Sequence, residues 1–182
     1  IEALLAGFEK NVGVVVGIST MKPLSFLATM QGLEWLTAIH FMHLLSNSNI
    51  ETTGMGNNMA VSKDAYWATG GYAKIKFSIV EDYALYKAII DSGYNFNQTY
   101  LPEALAFTKP PEKFFEQRKR WMRGVFESRS MLILPALIQA IFLPILIVLF
   151  ILKFSTALFI LSFLFLFYCI QIYIIERKLK LK

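Results

Sequence analysis

The chain has 182 residues, 55% of them hydrophobic, with a mean hydropathy of +0.49, which excludes an ordinary soluble domain. The net charge of +5 is gathered at the flanks of two apolar runs. Basic residues do not interleave with aromatics along a soluble groove, so nucleic-acid binding is excluded as the use of that charge. The one cysteine, Cys169, permits no disulfide within the chain and agrees with a cytosolic soluble part.

Residue 1 is Ile and opens in mid-pattern, so the sequence reads as a piece whose N-terminal portion is missing. Residues 1–10 carry apolar side chains at 1, 4, 5 and 8, a helical period that Asn11 ends. Val12-Gly13-Val14-Val15-Val16-Gly17 is a β-branched run between glycines, the composition of a buried strand, with partner strands expected upstream. Helix followed by buried strand is half of an α/β unit. Residues 23–45 predict a helix of about six turns, with Gln31, Glu34 and Trp35 near its middle. His40 and His43 stand at i, i+3, but neither Cys nor acidic ligands complete a metal set nearby. This helix is expected to lie against a membrane interface, and 46–49 breaks it.

Gly54-Met55-Gly56-Asn57-Asn58-Met59-Ala60-Val61 leads a glycine turn into a strand, and glycine there permits close approach to the backbone. A short helix over 63–69 follows, closed by Gly70-Gly71-Tyr72. Ser78 with Glu81 three residues on has the spacing of a capping box ahead of a periodic run, and Gly93 stops that run. Glu81 and Asp82 then fall in a helical first turn, where the helix dipole favours negative charge. Plain capping explains such a pair. So does a base facing a cleft, oriented by its neighbour. Short strands are expected over 95–100 and 104–107.

Pro110-Pro111 introduces a helix from 112 to about 128. Gln117, Arg120 and Trp121 stand at i, i+3 and i+4 and share a face, with Gly124 leaving it open to close approach. An amide, a guanidinium and an indole together suit an anionic group beside a flat ring. A basic helix anchored at a membrane by its Trp is the competing reading. Residues 131–152 and 154–175, separated by Lys153, carry no charge, and each is long enough to span a bilayer. Pro135 and Pro144 predict kinks in the first. Arg118, Lys119, Arg120, Arg123 and Arg129 precede this hairpin, and Arg177, Lys178, Lys180 and Lys182 follow it. Both flanks are therefore expected in the cytoplasm, on an inner or plasma membrane. Arg118, Lys119 and Arg123 are expected off the triad face, toward lipid headgroups.

The ordered set of 12–17, 54–61, Gly70-Gly71-Tyr72, Glu81-Asp82 and Gln117-x-x-Arg120-Trp121, then transmembrane helices, resembles the membrane-bound family 2 glycosyltransferases. That group holds cellulose, chitin and hyaluronan synthases and ceramide glucosyltransferase. The resemblance implies an α/β fold, the C-terminal part of a Rossmann-like GT-A domain over 1–130. A transmembrane helical hairpin over 131–175 and a basic cytoplasmic tail over 176–182 complete the expected organisation.

It further implies an inverting transfer from a nucleotide-sugar donor to a lipid or glycan acceptor. Asp82 maps to the general base, with Glu81 beside it. Gln117, Arg120 and Trp121 map to the motif closing the diphosphate and acceptor site, and Gly54, Gly56, Asn57 and Asn58 border the acceptor path. The family holds Mg²⁺ or Mn²⁺ on an Asp-x-Asp motif that this sequence lacks, so those ligands are expected upstream and the 182 residues alone are expected to be inactive. A noncatalytic or degenerate membrane scaffold is the alternative.

Overall fold

The computed structural model describes residues 1–128 and 133–180. Arg129, Met131 (the start of the expected first span) and Lys182 lie outside them. The elements in chain order are α1 (Glu2–Leu5), β1 (Val12–Val16), β2 (Ile18–Met21), α2 (Phe26–Ser46), β3 (Met59–Val61), α3 (Lys63–Ala68), α4 (Glu81–Asp91), β4 (Asn95–Gln98), β5 (Leu105–Thr108), α5 (Phe114–Ser128), α6 (Ile133–Leu152) and α7 (Phe154–Leu179).

The valine run forms β1, at the centre of a sheet ordered β3-β1-β4. It pairs antiparallel with β3, Val14 opposite Val61, and parallel with β4, Val16 opposite Gln98. Both partners lie downstream, which corrects the expectation that they lie upstream. Successive side chains of a strand point to opposite faces, and both faces here are covered. Val14 and Val16 pack with Ala65 of α3 and Leu85, Tyr86 and Ile89 of α4. Val15 meets Gly7, just beyond the four-residue α1. That covering explains why the run is apolar at every position.

Gly17 turns the chain from this sheet into a second one, where β2 pairs parallel with β5. A Cβ there would stand 2.6 Å from the Asn58 amide nitrogen, so a larger residue would displace the Asn58 side chain. β2 was not expected from sequence. The chain enters α2 through Ser25, whose hydroxyl caps the Ala28 N–H at 3.2 Å.

Ile18, Leu36, Ile39 and Tyr100 form a second core, and Ile175 and Leu179 of α7 are buried in it. α7 therefore continues as a helix past 175, and its foot is packed into the α/β part. α6 packs along α7 around the break at Lys153 and runs helically through Pro144. Among the described residues one helix, α7, is long and apolar enough to cross a membrane.

Candidate functional site

Asp82 sits in the first turn of α4, and the glycine segment before β3 is wrapped against it. The Gly56 N–H donates to Asp82 Oδ2 at 2.8 Å, and the Tyr83 N–H donates to Oδ1 at 2.9 Å. Both carboxylate oxygens are thereby held by backbone. A Cβ on Gly54 would lie 2.6 Å from the Asp82 carbonyl oxygen, and one on Gly56 would lie 3.1 Å from Asp82 Cβ. These two glycines are what allows the loop to approach so closely.

Asn57 and Asn58 are used differently. Asn58 Nδ2 donates to the carbonyls of Ile18 at 2.5 Å and Ala104 at 2.7 Å, bracing β2 against the turn before β5. Asn57 accepts from the Ser19 hydroxyl at 3.2 Å. Of the four residues expected along an acceptor path, the glycines meet Asp82 and the asparagines meet β2 or its surroundings.

The expected capping box is absent. Val80 is the N-cap residue of α4 and makes no side-chain cap, while the Ser78 hydroxyl accepts from the Val80 N–H at 3.1 Å. Ser78 thus closes a local turn one step too early to reach the helix, the usual competition between short polar side chains and capping. Glu81 is exposed at the start of α4. Tyr72 lies near both carboxylates. Its phenol is raised by burial first, then by the charges of Glu81 and Asp82. Thr52 donates its buried N–H to the Tyr86 hydroxyl at 3.3 Å, and burial pushes that phenol up to about 12.

α5 is brought to this site by Gly124, which is buried against Val80, the residue next to Glu81. Its Trp121 turns toward α2 and meets Trp35 with ring centroids 5.1 Å apart. Arg120 is exposed, with neither ion-pair nor ring partner among the described residues.

Arg118 departs from expectation. Its guanidinium is engaged within the protein: both its terminal nitrogens bond the two carboxylate oxygens of Glu34, and it lies 5.2 Å from the rings of Phe114 and Trp121. A forked guanidinium–carboxylate pair fixes the angle between two helices better than a point charge. Glu34 and Trp35 carry this contact, and their only signal in the sequence was polarity inside an otherwise apolar helix.

His40 and His43 lie over Tyr100, His43 stacked at 4.8 Å, with the Lys178 ammonium 4.7 Å from the same ring. Both imidazoles are lowered, by burial first and then by Lys178. Among the described residues no three His, Cys, Asp or Glu side chains converge as a metal site would require.

No curated protein and no solved structure matches the chain. The model of one protein family, glycosyl transferase family 21, matches residues 1–181. The motif-based resemblance named family 2, and the two agree on glycosyl transfer as the chemistry. The chain belongs to glycosyl transferase family 21.

Proposed function

We propose that the chain forms the acceptor side of an inverting GT-A-type transferase, working at the cytosolic face of a membrane with a nucleotide-sugar donor. Asp82 takes the proton of an acceptor hydroxyl while that oxygen attacks the anomeric carbon from the face opposite the leaving group. The bond from that carbon to the diphosphate oxygen breaks, and the nucleoside diphosphate leaves with the electron pair. Arg120, exposed and without an ion-pair partner among the described residues, offsets the charge developing there. Gln117 and Trp121 close the site, and a lipid is the acceptor favoured over a glycan because α7 and the exposed apolar face of α5 (Phe115, Met122, Phe126) offer a bilayer to share.

The observation that carries this reading is the carboxylate of Asp82, fixed by the Gly56 and Tyr83 N–H groups. Each oxygen keeps lone-pair capacity for an incoming proton. The described residues do not themselves fit the Mg²⁺ or Mn²⁺ of such transferases, whose ligands are expected upstream, and the steps above do not pass through it.

Asp82→Asn in the full-length protein is the test. It should lower transfer by about 10²–10⁴-fold, the contribution of a positioned general base, with folding and membrane insertion unchanged. Transfer at the unaltered rate would move the assignment to another base. No transfer by the unaltered protein, presented with nucleotide sugars and lipid or glycan acceptors, would favour the noncatalytic scaffold.

A further inference from the structure

Gly70-Gly71-Tyr72 closes α3 and has no part in the mechanism above. Gly70 and Gly71 both take positive φ, at 79 and 65, two left-handed steps in a row that side-chain-bearing residues adopt only under strain. They fold the chain back on α3, so that the Tyr72 N–H donates to the Tyr66 hydroxyl at 3.2 Å. A Cβ on Gly71 would stand 2.8 Å from that same hydroxyl, so the turn is seated closely on it. The rings of Tyr66 and Tyr72 meet edge to face, with centroids 6.0 Å apart. Tyr66 before the turn and Ile75 after it both pack on the core formed with Leu85, Tyr86 and Ile89 of α4. The turn is therefore braced on the helix that carries Asp82.

Tyr72 itself is 50% exposed, and its hydroxyl has no hydrogen-bond partner among the described residues. An exposed tyrosine is ordinary on a protein surface. This one differs in two respects: its backbone is fixed by a partner set in the core, and its phenol stands in the field of the Glu81 and Asp82 carboxylates. Burial and those charges keep the phenol protonated at neutral pH, so it offers a free O–H donor to solvent or substrate beside a carboxylate that only accepts.

A hydroxyl group carries one hydrogen and two lone pairs. Its hydrogen is taken by Asp82, and one lone pair accepts from the Tyr72 O–H. The remaining lone pair then has one direction left, and orientation of this kind is what a bound nucleophile gains over a free one. Tyr72 keeps its own proton throughout; the proton of the acceptor goes to Asp82.

We infer that Tyr72 touches substrate in the transfer site, its O–H holding the oxygen that Asp82 deprotonates, and that Tyr66 is the positioning residue that fixes Tyr72 there. This rests on the transferase reading above.

The full-length protein in membranes, with Mg²⁺ or Mn²⁺, is given UDP- and GDP-hexoses and four hydroxyl acceptors: a long-chain alcohol, a diacylglycerol, an N-acyl amino alcohol and an alkyl glucoside. With the pair that gives transfer, Tyr72→Phe should raise the acceptor KM about three- to tenfold, the loss of one hydrogen bond between uncharged groups. The donor KM and the melting temperature should stay unchanged, because the ring remains and the lost hydroxyl bonds nothing among the described residues. Tyr66→Phe keeps its ring and removes the acceptor of the Tyr72 N–H, so it should raise the acceptor KM by a smaller factor. Combined with Tyr72→Phe it should add nothing, since Tyr66 acts through the Tyr72 hydroxyl.

An unchanged acceptor KM in Tyr72→Phe, or a donor KM that rises as much, overturns the contact while leaving the transferase reading in place. Independent losses in the double variant overturn the positioning role of Tyr66. Lack of transfer by the unaltered protein to all four acceptors overturns the transferase reading and the inference with it.

Discussion

Gly124→Ala places a methyl group where Val80 already is. The new Cβ would fall well inside contact distance of Val80 Cγ1 and 3.2 Å from Cγ2. Alanine in a helix interior is favoured over glycine by about 1 kcal/mol, while overpacking a contact costs about 1–3 kcal/mol. Net destabilisation should therefore be only about 0–2 kcal/mol, and the protein should fold. The clash is relieved by α5 moving away from the start of α4, and that movement displaces α5 from the helix that carries Asp82. A misplacement of about 1 Å at a reacting centre can lower the rate about 10²-fold, so activity should fall far more than stability.

Val80→Ala removes both offending methyl groups. In the double variant transfer should recover to within a few-fold of the original, with a coupling energy of about 0.5–3 kcal/mol between the two positions. The assay is transfer rate and thermal midpoint for all four proteins, full-length and in membranes. Strict additivity of the two losses would falsify the claim that this contact sets the distance from α5 to α4.

Three neighbouring cations should separate cleanly. Arg120→Ala should abolish transfer at little loss of stability, and Lys119→Ala should mostly spare both. Arg118→Ala should lower stability by about 1–2 kcal/mol, since a forked pair with Glu34 half-exposed sits at the upper end for surface ion pairs and the ring contacts add about 0.5–1 kcal/mol. Equal activity losses at 119 and 120, measured with thermal melts alongside, would return the segment to a membrane anchor.

A pH series tests the histidines. Both are lowered in the fold, so the unfolded chain binds more protons below its own value of about 6.5, and stability should be full above that pH and fall as pH drops below it. His43→Asn should flatten that slope between about pH 7 and 5.5. Lys178→Met, which removes the charge facing both imidazoles, should flatten it less, because burial is the larger cause. A slope untouched by His43→Asn would assign the acid sensitivity to carboxylates.

The parts of the fold that were legible in sequence are those whose signal is local. Valines between glycines announced β1, and Gly93, at φ 90, ends α4 where its period stops. β2 was hidden because Ser19 and Thr20 are polar yet buried. Pairing with β5, rather than composition, makes Ile18–Met21 a strand.

The site divides the same way. Glycines at 54 and 56 foretold that something would come close to the backbone, but the something is Asp82, 26 residues on. Arg118 was one more basic residue in a basic cluster until folding delivered Glu34 from 84 residues away. Residue type foretells what a side chain is able to do. Its use is settled by long-range partners that no local window contains.

The buried foot of α7 acts as a stilt of fixed length. Ile175 and Leu179 share a core with Ile18 and Ile39, so the apolar helix is seated directly in the α/β part that carries Asp82. With α7 in a bilayer, the altitude of Asp82 above the lipid is set by how many residues separate the last lipid-facing position from Ile175, at about 1.5 Å each. One inserted residue would also turn the helix by about 100° and swing Ile175 out of its seat. The stilt can therefore be lengthened only in near-whole turns, and the working height of the site above the membrane comes in steps of about 5.4 Å.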